Sequence, residues 1–240
     1  LRRYPRLMGE IGLALTFALI RVGPGVAATP QQPDLGVRAI GMGGAFTAVA
    51  SDATVVNWNP AAVVSLQRQE LALSYADRFG LGLKESYLSY VLPIGESHAV
   101  GIDWFNRGFD DDHSGLGLES HANKISLAYA YRNHIERLPR FIGNASMGIS
   151  AKFRSQNADL DGITVMDASG FGLDAGLLLP LPYGVRLGLA VQDIGGTSLE
   201  HDGGLSEEVF EARYRVGLAH KPIEGLTVGA DLDDHFRVGA

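Results

Sequence analysis

The stretch HANKISLAYAY, from His121 to Tyr131, decides how the chain folds. Ile125, Leu127, Tyr129 and Tyr131 alternate there with Lys124, Ser126, Ala128 and Ala130. A period of two is the signature of a strand with two unlike faces, one large and apolar, the other small. The pattern recurs toward the C-terminus. Val185, Leu187, Leu189 and Val191 oppose Arg186, Gly188, Ala190 and Gln192; Tyr214, Val216 and Leu218 oppose Arg213, Arg215, Gly217 and Ala219. Leu226, Val228, Ala230 and Leu232 oppose Thr227, Gly229, Asp231 and Asp233. With weaker segments at 69–75, 84–92, 98–107, 144–154 and 169–179, the reading is about nine strands of about eight to eleven residues.

The chemistry of the second face says which way the strands look. A soluble β-sandwich turns its large residues inward and covers its outside with varied polar side chains. Here the second face is glycine, alanine and serine with Lys152, Arg154, Asp174, Arg186, Arg213, Arg215 and Asp231. The better fit is an all-β transmembrane barrel whose apolar face meets lipid and whose small, charged face lines a lumen. One arginine on the lipid side at mid-bilayer would cost about 2–4 kcal/mol, and the alternation keeps these residues off it. Trp104 and several tyrosines are expected in an interfacial girdle. Short connections at 181–184 and 222–225 read as turns at one end. The stretches 108–120, 156–167 and 194–211 read as long polar loops at the other, while 133–143 is longer than a turn should be.

Composition narrows the field further. The chain has 240 residues, 31 of them glycine and none cysteine, with a net charge of −7. Glycine runs well above its usual ~7%, yet no Gly-x-y triplet repeats, which excludes collagen. Without cysteine there are no disulfides, thiolate metal sites or cysteine nucleophiles. The negative charge is the wrong sign for a protein whose partner is nucleic acid. No run approaches the ~18–20 apolar residues of a spanning helix.

Residues 1–28 read as a secretory signal peptide: Arg2, Arg3 and Arg6, the apolar run Ile11 to Ile20, then Val26-Ala27-Ala28. Arg21 fits this poorly, and the alternative is an amphipathic helix packed on a domain. The chain opens on Leu1, and Arg237-Val238-Gly239-Ala240 reads as the opening of another strand. An odd strand count with no terminal aromatic leads to the expectation that the C-terminal part of a barrel is absent, since bacterial barrels close with an even number.

Residues 29–67 form a different kind of segment, and residues 68–240 hold the barrel strands. Gly41-Met42-Gly43-Gly44 leads into Ala45-Phe46-Thr47-Ala48-Val49-Ala50, then Asn57-Trp58-Asn59-Pro60-Ala61-Ala62. Small residues let backbone lie close to backbone, so this reads as a compact insert fit for a narrow space. Pro60 pushes Asn59 out of the α region, and the Asn59 side chain can cap the turn that follows. A dinucleotide site at Gly41-x-Gly43-Gly44 lacks its strand, its third glycine and its ribose-binding acid. No Gly-x-Ser-x-Gly, His-Glu-x-x-His or P-loop occurs, so no catalytic residues and no cofactor are expected. Asp110-Asp111-Asp112-His113 and Asp159-Leu160-Asp161-Gly162 could hold a cation in a loop; a solvated acidic tip is the simpler reading, and no metal is expected.

The run Gly36 to Ala53 followed by Trp58-Asn59-Pro60-Ala61 resembles the N-terminal hatch of the FadL-like (FadL/TodX) outer-membrane barrels, and more closely their PorV/PorQ branch. Ala190 to Gly195 and Tyr214 to Ala219 are similar to paired strands of that branch. The resemblance spans residues 36 to 234, strong in the hatch and diffuse elsewhere. It implies a barrel of about fourteen strands plugged by the hatch, in the outer membrane of a Gram-negative-type bacterium, assembled there by the barrel-assembly machinery and surrounded by outer-membrane lipid. Only Gly41, Gly43, Gly44, Asn59, Pro60 and Ala61 carry over as motif residues, and they are hatch residues. Two functions are implied: passage of small hydrophobic molecules such as long-chain fatty acids or hydrocarbons, or a carrier that receives a secreted protein in type IX secretion.

Overall fold

The computed structural model describes residues 35–49, 51–78, 82–111, 117–134, 143–201 and 208–240. The signal-peptide segment and Asp112-His113 lie outside the described residues. Among the described residues twelve strands build one antiparallel sheet: β1 (Glu70–Arg78), β2 (Leu83–Ile94), β3 (His98–Asp111), β4 (Leu118–Arg132), β5 (Ser146–Leu160), β6 (Ile163–Pro180), β7 (Val185–Gln192), β8 (Thr197–His201), β9 (Glu208–Phe210), β10 (Arg213–Ile223), β11 (Leu226–Leu232) and β12 (Phe236–Gly239). Each strand from β1 to β7 pairs with the next, and β7 continues to β10, β11 and β12. The pair β8 and β9 lies off this path, with β8 on β6.

All nine strands expected from the alternation are present. The three that were not expected, β8, β9 and β12, have five, three and four residues, too short for a period of two to stand out. Two expected loops are corrected. Residues 156–167 are the tip of a long hairpin, in which β5 and β6 turn on Asp161 (φ 52°) and Gly162 (φ 75°). Two consecutive left-handed residues are what a tight hairpin needs, so Asp161-Gly162 is turn chemistry. Within 108–120, residues 108–111 and 118–120 are likewise strand, the ends of β3 and β4. At the 156–167 tip no residue is buried on either face, so nothing there enforces an alternation.

The register shows what the two faces are for. Across β2 to β6, Leu88, Trp104, Ile125, Phe153 and Phe171 stand side by side in one row, all exposed. Phe153 and Phe171 touch, with ring centroids 5.0 Å apart. The neighbouring inward row reads Ser89, Asp103, Ser126, Lys152 and Gly172. Leu127 is 60% exposed while Lys152 is 1% exposed. That inverts the order of a water-soluble protein and matches a transmembrane barrel, with hydrocarbon outside and polar groups within. Trp104 sits in mid-strand and not in the girdle; Tyr129 and Tyr131, against His98, take the strand-end positions.

The core lies between the sheet and the segment 35–66. Trp58, Phe46, Val49, Val55, Val56 and Val63, all nearly inaccessible, pack against Val91, Ala99, Ala128, Ala130, Leu178 and Ala219 of the wall. The segment is a helical turn Val37–Gly41, a second at Val55–Trp58 and a 3-10 helix Pro60–Ser65. It meets the inward face of β2 through β7 and of β10 through β12, so the sheet wraps round it as a barrel wraps a plug.

Candidate functional site: the hatch and its anchors

The wall changes character along its length. We call the end bearing the connections 95–97, 133–145, 181–184 and 224–225 the turn end, and the opposite one the loop end. Near the turn end one inward row is Ala99, Ala130, Gly148, Gly176 and Ala190. The hatch backbone lies directly on it. A Cβ on Gly188 would stand 2.6 Å from the Thr47 carbonyl oxygen, and one on Gly176 would strike Asn59 Oδ1. Part of the glycine excess is therefore room for the hatch.

The motif residues divide by role. Asn59 is extended (φ −155°), as the proline after it requires, and its Oδ1 accepts from the Ala61 N–H at 3.0 Å, capping the 3-10 helix that Pro60 begins. Its Nδ2 donates to Thr47 O at 3.0 Å and to Leu177 O of β6 at 3.4 Å. One buried amide thus joins two hatch turns and the wall. Gly43 (φ 62°) and Gly44 (φ 79°) turn the chain through left-handed backbone, which favours glycine. Gly41 closes the first helical turn with open space where a Cβ would be. Ala61 is buried against Gly148.

Further anchors come from inward side chains whose partners the sequence does not announce. Asp231 Oδ2 accepts from the Phe46 and Thr47 N–H groups at 2.9 and 2.8 Å. Ser89 donates to Ala53 O at 2.6 Å and Gln192 to Asn57 O at 2.7 Å. Lys124 Nζ reaches Asn57 Oδ1 at 2.5 Å. Arg132 donates to Val64 O at 3.0 Å and Arg186 to Val49 O. The Trp58 ring, whose Nε1 donates to Leu35 O at 2.9 Å, packs edge-on to Phe46 and carries the Arg215 guanidinium over its face at 4.6 Å. Each of the strand residues among them holds an inward place in the alternation. That signal finds the side chain but not the hatch atom it meets.

Toward the loop end the lumen holds charge instead. Lys152 bridges Asp174 at 2.7 Å and Asp193 at 2.9 Å, and Arg154 joins Asp193 at 3.1 Å. Thr197 Oγ1 and the Asp193 N–H complete the cluster by donating to Asp193 Oδ1 and Asp174 Oδ1, each at 2.8 Å. Arg213, Arg215 and Arg237 gather on Asp233 at 2.6, 3.6 and 3.4 Å, and Arg78 and Arg107 on Glu85. The short strands β8 and β9 lie on this layer, with Leu199 fully buried on Ala168 and Phe210 beneath Arg154 at 4.1 Å. Among the described residues no group of three His, Asp or Glu side chains is arranged to hold a metal ion.

An antiparallel wall with an apolar exterior, a charged interior and a tethered internal segment defines a plugged transmembrane β-barrel. Among solved structures the chain is similar to the CymD monoaromatic hydrocarbon channel, at 16% identity and a TM-score of 0.58, over 81% of this chain and 67% of that one. At that identity the likeness is one of fold, and it agrees with the FadL-like barrel expected from the hatch motif. No protein-family model and no curated sequence matches.

Proposed function

We propose that this protein passes small hydrophobic molecules across an outer membrane, with the 35–66 segment as a displaceable plug. The observation that carries the reading is the hatch itself: a segment held by scattered hydrogen bonds from many strands, inside a wall whose exterior suits hydrocarbon. The fold shared with a monoaromatic hydrocarbon channel supports it. No covalent step is involved, so the protein acts as a conduit and not as an enzyme. The charged layer near Lys152 and Arg154 leaves no continuous greasy path along the barrel axis, so an apolar pocket must be local. The test is uptake of labelled hydrocarbons and fatty acids by cells with and without the full-length protein; equal uptake would refute it.

A second reading is favoured by the same charged layer together with Trp58. A PorV-type carrier of type IX secretion has no need of an apolar path, and Trp58 before Asn59-Pro60-Ala61 is the feature that points to that branch. Affinity capture of secreted proteins sharing a C-terminal domain tests it; their absence from the captured fraction would count against it.

A further inference from the structure

Strands β5 and β6 run on past the apolar exterior. Beyond Phe153 and Phe171 their outward positions turn polar, Ser155 beside Ser169 and then Asn157 beside Asp167, so the loop-end hairpin stands in water. On the side away from β5, β6 outruns its neighbours: β7 pairs with residues 175–180 and β8 with Ala168 and Ser169. Among the described residues no strand lies beside 163–167 on that side. A row of backbone N–H and C=O groups open to water is a template for another strand, which proteins commonly blunt with lysine or proline. The stretch Ile163-Thr164-Val165-Met166-Asp167 has neither, and its β-branched residues favour a strand. Ile163 is 68% and Val165 59% exposed.

The tip also shows what such an edge would accept. Leu118, Leu160 and Ile163 stand in one register row on the lumen side of β4, β5 and β6, all exposed. Glu119 and Asp159 stand in the next row, on the outer side, and Asp167 shares that side. Asp161 and Glu200 add to the acidity, and the stretches 117–123, 155–169 and 197–200 contain no lysine or arginine. A strand laid along 163–167 continues both rows, since side chains opposite one another in a sheet interact directly. Beside Ile163 an apolar residue fits, and beside the carboxylates a cation. A second copy of this edge would set acid against acid.

We propose that residues 163–167 form a strand-addition site for an extended basic segment of another polypeptide, in which lysine or arginine alternates with apolar residues. Backbone hydrogen bonds to the edge supply the adhesion, and the alternating side chains supply the choice of partner. The site rests on the sheet edge and its charge, and on neither reading of function above.

The test uses the full chain in phosphatidylcholine nanodiscs, with empty nanodiscs as baseline. The probes are short peptides: lysine alternating with valine, glutamate alternating with valine, and the lysine peptide N-methylated throughout. The lysine peptide is expected to bind about tenfold more tightly than the glutamate one, as a few cross-strand charge pairs allow, and to slow hydrogen exchange of amides within 163–167. N-methylation removes the peptide's donors and should abolish the slowing. Ile163→Lys, a charge set into the apolar row at an exposed position, should abolish it too, and Asp159→Asn with Asp167→Asn should erase the preference for lysine over glutamate. Binding of the lysine peptide without any change in exchange at 163–167 is charge attraction alone and overturns the proposal, as does equal binding of the lysine and glutamate peptides. Both comparisons use the unaltered chain and decide even if a variant does not fold. Slowing that grows with protein concentration in the absence of peptide makes a second copy the occupant and equally overturns it.

Discussion

The turn-end and loop-end halves of the lumen are built on one alternation and solve two different problems. Near the turn end the filler is polypeptide, so the wall offers glycine and alanine and lets backbone meet backbone at Gly176 and Gly188. Toward the loop end the filler is side chain, so the wall offers long charged residues that reach one another across the space, as Lys152 reaches Asp174 and Asp193. The inward position is the same in both. What differs is the distance that must be spanned. An inward glycine is a place where something already lies, and an inward charge is a place where the wall must fill the gap itself.

The difference can be broken most severely in the charged half. Lys152→Met leaves Asp174 and Asp193 without the ammonium that bridges them, and removing one partner of a buried pair costs about 3–5 kcal/mol. Denaturant unfolding in lipid vesicles reads the loss. Adding Asp174→Asn should restore most of it, because Asp193 keeps Arg154 as its counter-ion and no second carboxylate is left without one. In the hatch half, Gly188→Val drives a side chain into Thr47 and Ala48 and should cost about 1–3 kcal/mol as overpacking. The larger sign there is displacement: Trp58, fully buried, should become quenchable by acrylamide while strand content by circular dichroism stays. Smallest is Asn59→Ala, about 1–2 kcal/mol for a lost cap and two lost hydrogen bonds. Its effect should fall on hatch protection in hydrogen exchange at Ala61 more than on the wall.

The wall was legible in the sequence because lipid and lumen impose opposite demands on adjacent residues, and Ile125 to Tyr131 states them plainly. Legibility fails where both faces are wet, as at 156–167, and where a strand is too brief to repeat, as at 208–210. The hatch announced itself through Gly43, Gly44 and Asn59-Pro60, whose backbone requirements are local. Its anchors did not. Asp231 was readable as an inward charge, yet its partners Phe46 and Thr47 lie 185 and 184 residues earlier. Spacing carries no information about a contact that the curl of the sheet creates.

The central claim is that the large side chains look out at hydrocarbon and the small ones in at a packed hatch. The chain has no cysteine, so spin labels at Leu127→Cys and Ala128→Cys in reconstituted bilayers report on two adjacent residues of opposite face. The account predicts ready collision with dissolved oxygen and little with a water-soluble nickel chelate at position 127, and little with either at position 128. Strong collision with the nickel chelate at position 127 would contradict it.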